Sequence, residues 1–218
     1  MRMADRANHY EAAFEAFLRH FRVPYIAVDE AKRSLCEADQ SIKSLDFIVT
    51  AGGVNWLVDV KGRRFPSGPR GSDYWRNWAF EEDLVSLDRW ERLFGPGFAG
   101  LFVFAYHLVK DRSPLPAEQV FEYQRRLYAF VGIELAVYRQ KAVEISPSWQ
   151  TVAMPRSEFR RMVRPVWELL GIASNARQMN ATGVLPNRPH AQEISSSPAH
   201  KLGSEGNGNT GESTDKDC

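Results

Sequence analysis

Residues 45–64, LDFIVTAGGVNWLVDVKGRR, hold two short apolar runs joined by Gly52-Gly53. A glycine pair between such runs is a strong hairpin signal, because the central positions of a tight primed turn need positive φ. With a two-residue turn, Ala51 pairs with Val54, the other pairs follow in step, and Asp46 falls opposite Asp59. Alternation along the second strand sends Leu57, Asp59 and Lys61 to one face and Val58 and Val60 to the other. Directly opposed residues have Cβ atoms roughly 4.5–5.5 Å apart, where like charges repel. Two such carboxylates in an apolar sheet need a reason, since stripping water from a charge costs several kcal/mol unless it is paired. A divalent cation between them supplies one: Mg²⁺ prefers hard oxygen ligands and takes one or two protein carboxylates besides water and phosphate. Lys61, farther along the same face, would stand beside such an ion, placed to position a water or meet charge developing on a phosphate. The plain alternative is a surface hairpin with Asp59 and Lys61 on a solvated face; the flanking FIV and WLV runs favour a buried sheet.

Working outward, Tyr10, Phe14, Phe17, Leu18 and Phe21 recur at helical spacing and predict an amphipathic first helix. Glu11 lies roughly 80° from the centre of its apolar stripe and Glu15 roughly 120°. Glu11 therefore borders the core and is the better candidate for a site at the sheet, although an acid near a helix N-terminus is also a common surface feature. VPYIAV (23–28) reads as a strand, DEAKRSL (29–35) as a helical turn and Cys36 to Lys43 as a polar loop. GRRFPSGPRGSDYWRN (62–77) reads as a Gly, Pro and Arg-rich loop. A second helix follows, with Leu84, Leu87, Trp90 and Phe94 on one side and Gly95-Pro96-Gly97 as its stop. FAGLFVFAYHLV (98–109) is nearly all apolar, as expected of a central strand covered on both faces. RLYAFVGI (126–133) is a further strand, followed by a short helix to Lys141; WQTVAM (149–154) and SEFRRMVRPVWELLG (157–171) predict a last strand and a closing helix. The order helix, strand, hairpin, helix, strand points to an α/β (α+β) fold, a mixed sheet with helices on its faces.

The 218 residues are 44% hydrophobic and 12% aromatic, enough for a sizeable core. The net charge of +1 excludes a global electrostatic field for nucleic acid, so any such contact must be local. Cys36 and Cys218 have neither CxxC nor zinc spacing, which suits a reduced, cytoplasmic protein. Charges interrupt the apolar residues of the N-terminus, so it reads as neither a secretory signal nor a membrane span. Residues 174–218 are rich in Ser, Asn, Gly and Pro and are expected to be a disordered tail, leaving 1–173 as the domain.

Arg63, Arg64, Arg70 and Arg76 gather after the hairpin, with Tyr74, Trp75 and Trp78 among them. Such a loop can grip phosphates and stack bases, or it can be a basic loop whose tryptophans pack back on the core. On the second helix, Glu81, Glu82, Asp83 and Asp88 read as a solvated face, and His9 as a residue flanking or capping the first helix.

An acid on the first helix, Asp46 opening a strand and Asp59-Val60-Lys61 in the next together resemble the PD-(D/E)XK, or restriction-endonuclease-like, superfamily. More narrowly, HYEAAFEAF (9–17) with VPYIAVDEAKR, SLDFIV and LVDVKGRR resembles the bacterial HYExAFE family, over most of residues 9–170. The resemblance implies metal-dependent hydrolysis of phosphodiester bonds, most often in DNA, with Mg²⁺ or Mn²⁺. Asp46 and Asp59 would be the metal ligands, Lys61 the residue beside the attacking water, and Glu11 a helical acid like that of archaeal Holliday junction resolvases. Arg63, Arg64, Arg70, Trp75 and Arg76 would meet the nucleic acid. Leu45 stands where the motif often has proline, and no target-recognition domain is visible. A homodimer would suit cutting of two strands. The runner-up is a non-catalytic nucleic-acid-binding module of the same fold.

Overall fold

The glycine pair turns the chain as expected: Gly52 and Gly53 have φ of 62° and 79°, in the left-handed region that side chains resist. In chain order the computed structural model has α1 (His9–His20), β1 (Tyr25–Ala27), β2 (Ser34–Cys36), β3 (Gln40–Ile42), β4 (Phe47–Ala51) and β5 (Val54–Phe65). Then come β6 (Ala79–Phe80), α2 (Glu81–Phe94), β7 (Phe98–Leu108), β8 (Val120–Tyr123) and β9 (Arg126–Glu134). The last elements are α3 (Leu135–Lys141), β10 (Val143–Ser146), β11 (Thr151–Ala153), α4 (Arg156–Met162), β12 (Arg164–Pro165) and α5 (Val166–Leu169). The structure describes residues 8–28, 34–36, 40–67 and 75–172.

β4 and β5 pair antiparallel from Ala51 opposite Val54 to Phe47 opposite Val58, the register read from the sequence. β5 runs farther than expected. Gly62, Arg63, Arg64 and Phe65 belong to the strand and not to a loop, because β7 pairs with it in parallel as far as Phe65 opposite Leu108. Main-chain bonds to a long neighbour, not side-chain patterning, hold these residues extended. β9 joins the far side of β7 antiparallel. The main sheet thus has the order β1-β4-β5-β7-β9-β12, with β8 beside β9.

Phe14, Phe17 and Leu18 of α1 cover the face made by Phe47, Val58, Val60, Val103 and Phe130. The opposite face, with Leu57, Phe102, Phe104 and Val131, is covered by Leu87 of α2, Tyr138 of α3 and Phe159 of α4. Burying each such side chain contributes about 1.5–3 kcal/mol. A mixed sheet core flanked by helices, expected of restriction-endonuclease-like proteins, is therefore the architecture observed.

Two local expectations change. Within the supposed polar loop and the turn before it, β2 and β3 form an antiparallel pair, Ser34 opposite Ile42. A ladder this short is carried by main-chain bonds and needs no apolar alternation; residues 29–33 of the expected turn lie outside the described residues. The closing helix is two helices, α4 and α5, separated by β12, which pairs with β9. Pro165 lacks an N–H and steers Arg164 away from helical geometry, so the chain breaks there into an edge strand. The described residues lie within a compact unit of residues 1–184; a second unit, 185–218, and the tail expected from 174 lie outside them. Among the described residues, no helix is long and apolar enough to cross a membrane.

Candidate functional site

Asp59 and Lys61 emerge on the sheet face covered by α2, and both are buried. Lys61 Nζ lies 2.7 Å from Asp59 Oδ2 and 2.6 Å from Asp83 Oδ2. Asp83 stands in the first turn of α2, where it also accepts the Phe80 main-chain N–H at 3.0 Å and the Lys43 ammonium. A carboxylate there satisfies a helix N–H that has no partner within the helix and sits at the positive end of the helix dipole. The solvated face expected for Asp83 is therefore corrected: its side chain is 0% exposed, because α2 docks its first turn onto β5.

Asp46 lies just before β4, where that strand leaves β5. Its N–H donates to the Val58 carbonyl at 2.9 Å, and its Oδ2 accepts the Val60 N–H at 2.5 Å. The side chain thereby supplies a rung of the ladder and satisfies a buried donor. Asp46 follows directly on the Phe47–Val58 pair, so it falls beside Asp59 in the register, and both carboxylates are buried, 5% and 7% exposed.

Lys43 enters from the segment between β3 and β4, whose carbonyl at 43 accepts the Trp90 indole N–H at 2.9 Å. Burial disfavours its ammonium, but Asp59, Asp83 and Asp46 outweigh that and hold its pKa above the usual lysine range. For Asp83 burial favours the neutral acid, yet Lys61 and Lys43 prevail and hold the carboxyl below its ordinary value. Lys43, Ser44, Asp59, Asp83, Ser86 and Trp90 line a small solvent-open recess of about 10 Å³, room for about one water. Lys43 and Asp83 were the members missed by sequence reading. The sequence carries no signal for Lys43, and for Asp83 only that of an acid in the first turn of the helix after the DVK strand.

Glu11 is buried in the first turn of α1 and accepts from the Asn8 amide. Its helix covers the Val58 and Val60 face, the side opposite Asp59 and Lys61. The helix is capped by Asn8, which accepts from the Tyr10 N–H, and not by His9. Arg63 lies on the same strand face as Lys61; its guanidinium stacks on Trp78, 3.9 Å from the ring centroid, and donates to the carbonyls of Gly62 and Trp78. Arg64 is exposed on the opposite face. Trp75 packs edge-on against Phe65, Tyr106 and Phe159, and exposed Arg76 donates to the Ser67 carbonyl. Arg70 and Tyr74 lie outside the described residues.

Asp46 and Asp59 offer hard oxygen donors that fit a divalent cation. Among the described residues, no group of three or more His, Cys, Asp or Glu side chains makes a ready metal cage. Water and a substrate phosphate would complete the shell, the usual arrangement for Mg²⁺.

No family model matches the chain, and no curated protein matches it. Among solved structures, the chain is similar to Archaeoglobus fulgidus Hjc, a Holliday junction resolvase from an archaeal hyperthermophile. The TM-score is 0.46 and the identity 14%, over 75% of this chain and 98% of that one.

Proposed function

We propose that this chain is a metal-dependent phosphodiester hydrolase of the nuclease type, acting on DNA in the cytoplasm, and a HYExAFE-type member of the PD-(D/E)XK superfamily. The observation that carries the proposal is the burial of Asp46, Asp59 and Lys61 at the point where β4 leaves β5. Burying three charges in one place is costly for a scaffold. It is reasonable for a site that must hold a cation and a water against a phosphate.

Asp46 and Asp59 would hold Mg²⁺ or Mn²⁺, which when bound supplies positive charge at the scissile phosphate. Lys61 orients the attacking water and stabilises negative charge as it develops. Asp83 is a positioning residue that fixes the Lys61 ammonium. Glu11, whose helix covers the opposite face of the sheet, takes no part in this centre. Arg63 and Trp75, packed inward against Trp78 and against Phe65, Tyr106 and Phe159, support the fold, while Arg64, Arg70 and Arg76 meet the nucleic acid. A homodimer would present two such sites to the two strands of a duplex.

One observation favours the second reading, a binding module that does not hydrolyse: Lys61 is already held between two carboxylates, a self-sufficient ion-pair network. The readings separate in cleavage of labelled duplex, single-stranded and branched DNA, and RNA, with Mg²⁺ or Mn²⁺. A nuclease cuts at least one substrate and loses that activity in Asp46→Ala and Lys61→Ala. A binding module cuts none, and its DNA binding survives both substitutions.

A further inference from the structure

On the face covered by α1, the side chains change character along the strands. Val60, Val103 and Gly132 form one row across β5, β7 and β9, and Gly62, Ala105 and Phe130 the next. A Cβ at Gly62 would overlap the Tyr10 ring, so the missing side chain makes room for the start of α1. The following row is polar: Arg64, His107 and Tyr128 stand side by side in register. Arg126, two residues before Tyr128, shares their face.

His9 descends on this row from the first turn of α1. Its Nδ1 lies 2.7 Å from the Tyr128 hydroxyl, and its ring meets His107 edge to face with centroids 5.5 Å apart. His107 in turn stacks on Tyr128 at 5.4 Å. Arg126 lies against the Tyr128 hydroxyl. Four elements therefore gather two arginines, two imidazoles and two tyrosines at one end of the sheet. Among the described residues, neither Arg64 nor Arg126 has a carboxylate partner.

Burial, then the Arg126 charge, pushes the His9 pKa below its usual value; burial, His9, Arg126 and Arg64 do the same at His107. The Arg126 charge is thus felt at both imidazoles and the Arg64 charge at His107, beside the N-terminus of a twelve-residue helix. Arginine and imidazole N–H groups and a tyrosine O–H suit an oxyanion, and the guanidinium fork suits phosphate in particular.

We propose that His9, His107, Arg64 and Arg126 form a phosphate-binding site that takes a backbone phosphate of the nucleic acid away from the point of cleavage. It lies on the sheet face opposite Asp59 and Lys61, so the bound strand passes around the end of the sheet. That the phosphate belongs to nucleic acid rests on the nuclease-type reading; the anion chemistry does not.

The test is a titration of the full chain, free of divalent metal, with inorganic phosphate and separately with a short single-stranded DNA, followed by imidazole NMR. Both ligands should move the His9 and His107 resonances saturably. The exposed His20 at the other end of α1 should stay still. Arg64→Gln and Arg126→Gln, both at exposed positions, should each weaken binding about tenfold or more. Saturation by inorganic phosphate but not by DNA overturns the assignment to nucleic acid. Absence of any saturable shift at His9 and His107, or shifts unaffected by both substitutions, overturns the site. Neither metal nor cleavage enters the titration, so an inactive Asp46–Lys61 centre leaves its outcome intact.

Discussion

Replacing Lys61 with methionine keeps the side-chain stem over Phe102, whose ring centre is 5.7 Å from Nζ, and deletes only the ammonium. Asp59 loses its 2.7 Å partner and Asp83 its 2.6 Å partner while both stay buried. Removing one member of a buried pair costs about 3–5 kcal/mol, because the remaining charge has neither water nor a partner. Asp83 keeps Lys43 and the Phe80 N–H, which places the expected loss near 3 kcal/mol, about 6–12 °C in Tm for a domain of this size. Urea unfolding followed by tryptophan fluorescence at pH 7 measures it. Adding Asp59→Asn should recover part of the loss, since the stranded charge is then gone. A loss below about 1 kcal/mol, the range of exposed pairs, or no recovery in the double variant, would show that the cluster is solvated and not buried.

Acid should destabilise the protein through Asp83. Its folded pKa is lowered, so its contribution is complete above the unfolded value of about 4 and disappears as pH falls through the folded value; Asp83→Asn should lower stability at pH 7 and flatten the decline below about pH 4 in urea midpoints. Gly62→Ala, which drives a methyl into Tyr10, should cost about 1–3 kcal/mol by the same assay, and pairing it with Tyr10→Ala should relieve the clash. Phe17→Ala, deleting a fully buried ring that meets Phe130 and Trp167, should cost about 3–5 kcal/mol in thermal or urea unfolding.

The hairpin was legible because its cues are local: two glycines with positive φ and apolar runs that alternate in step. Asp46, Asp59 and Lys61 could be placed from that register alone. Asp83 could not, because its burial depends on where α2 docks against β5, and a first-turn acid looks the same in sequence whether it faces water or an ammonium. Arg63 and Arg64 show the same limit. They read as one basic loop, yet the parallel pairing with β7 keeps them in a strand and sends them to opposite faces, Arg63 toward Trp78 and Arg64 toward the His9 row. Lys43 was hidden for a further reason: the β2–β3 pair that precedes it has no apolar alternation to announce it. At Pro165 the apolar spacing suggested one helix, and only the missing N–H marked the break.

Binding of Mn²⁺ to the full chain in the presence of a short DNA, read by electron paramagnetic resonance, bears most directly on the proposed centre. A nuclease site at Asp46 and Asp59 predicts a saturable Mn²⁺ signal that weakens at least about tenfold in Asp46→Asn and in Asp59→Asn, with both variants folded by circular dichroism. Mn²⁺ binding that is absent from the wild type, or equally strong after both aspartates are replaced, would contradict it.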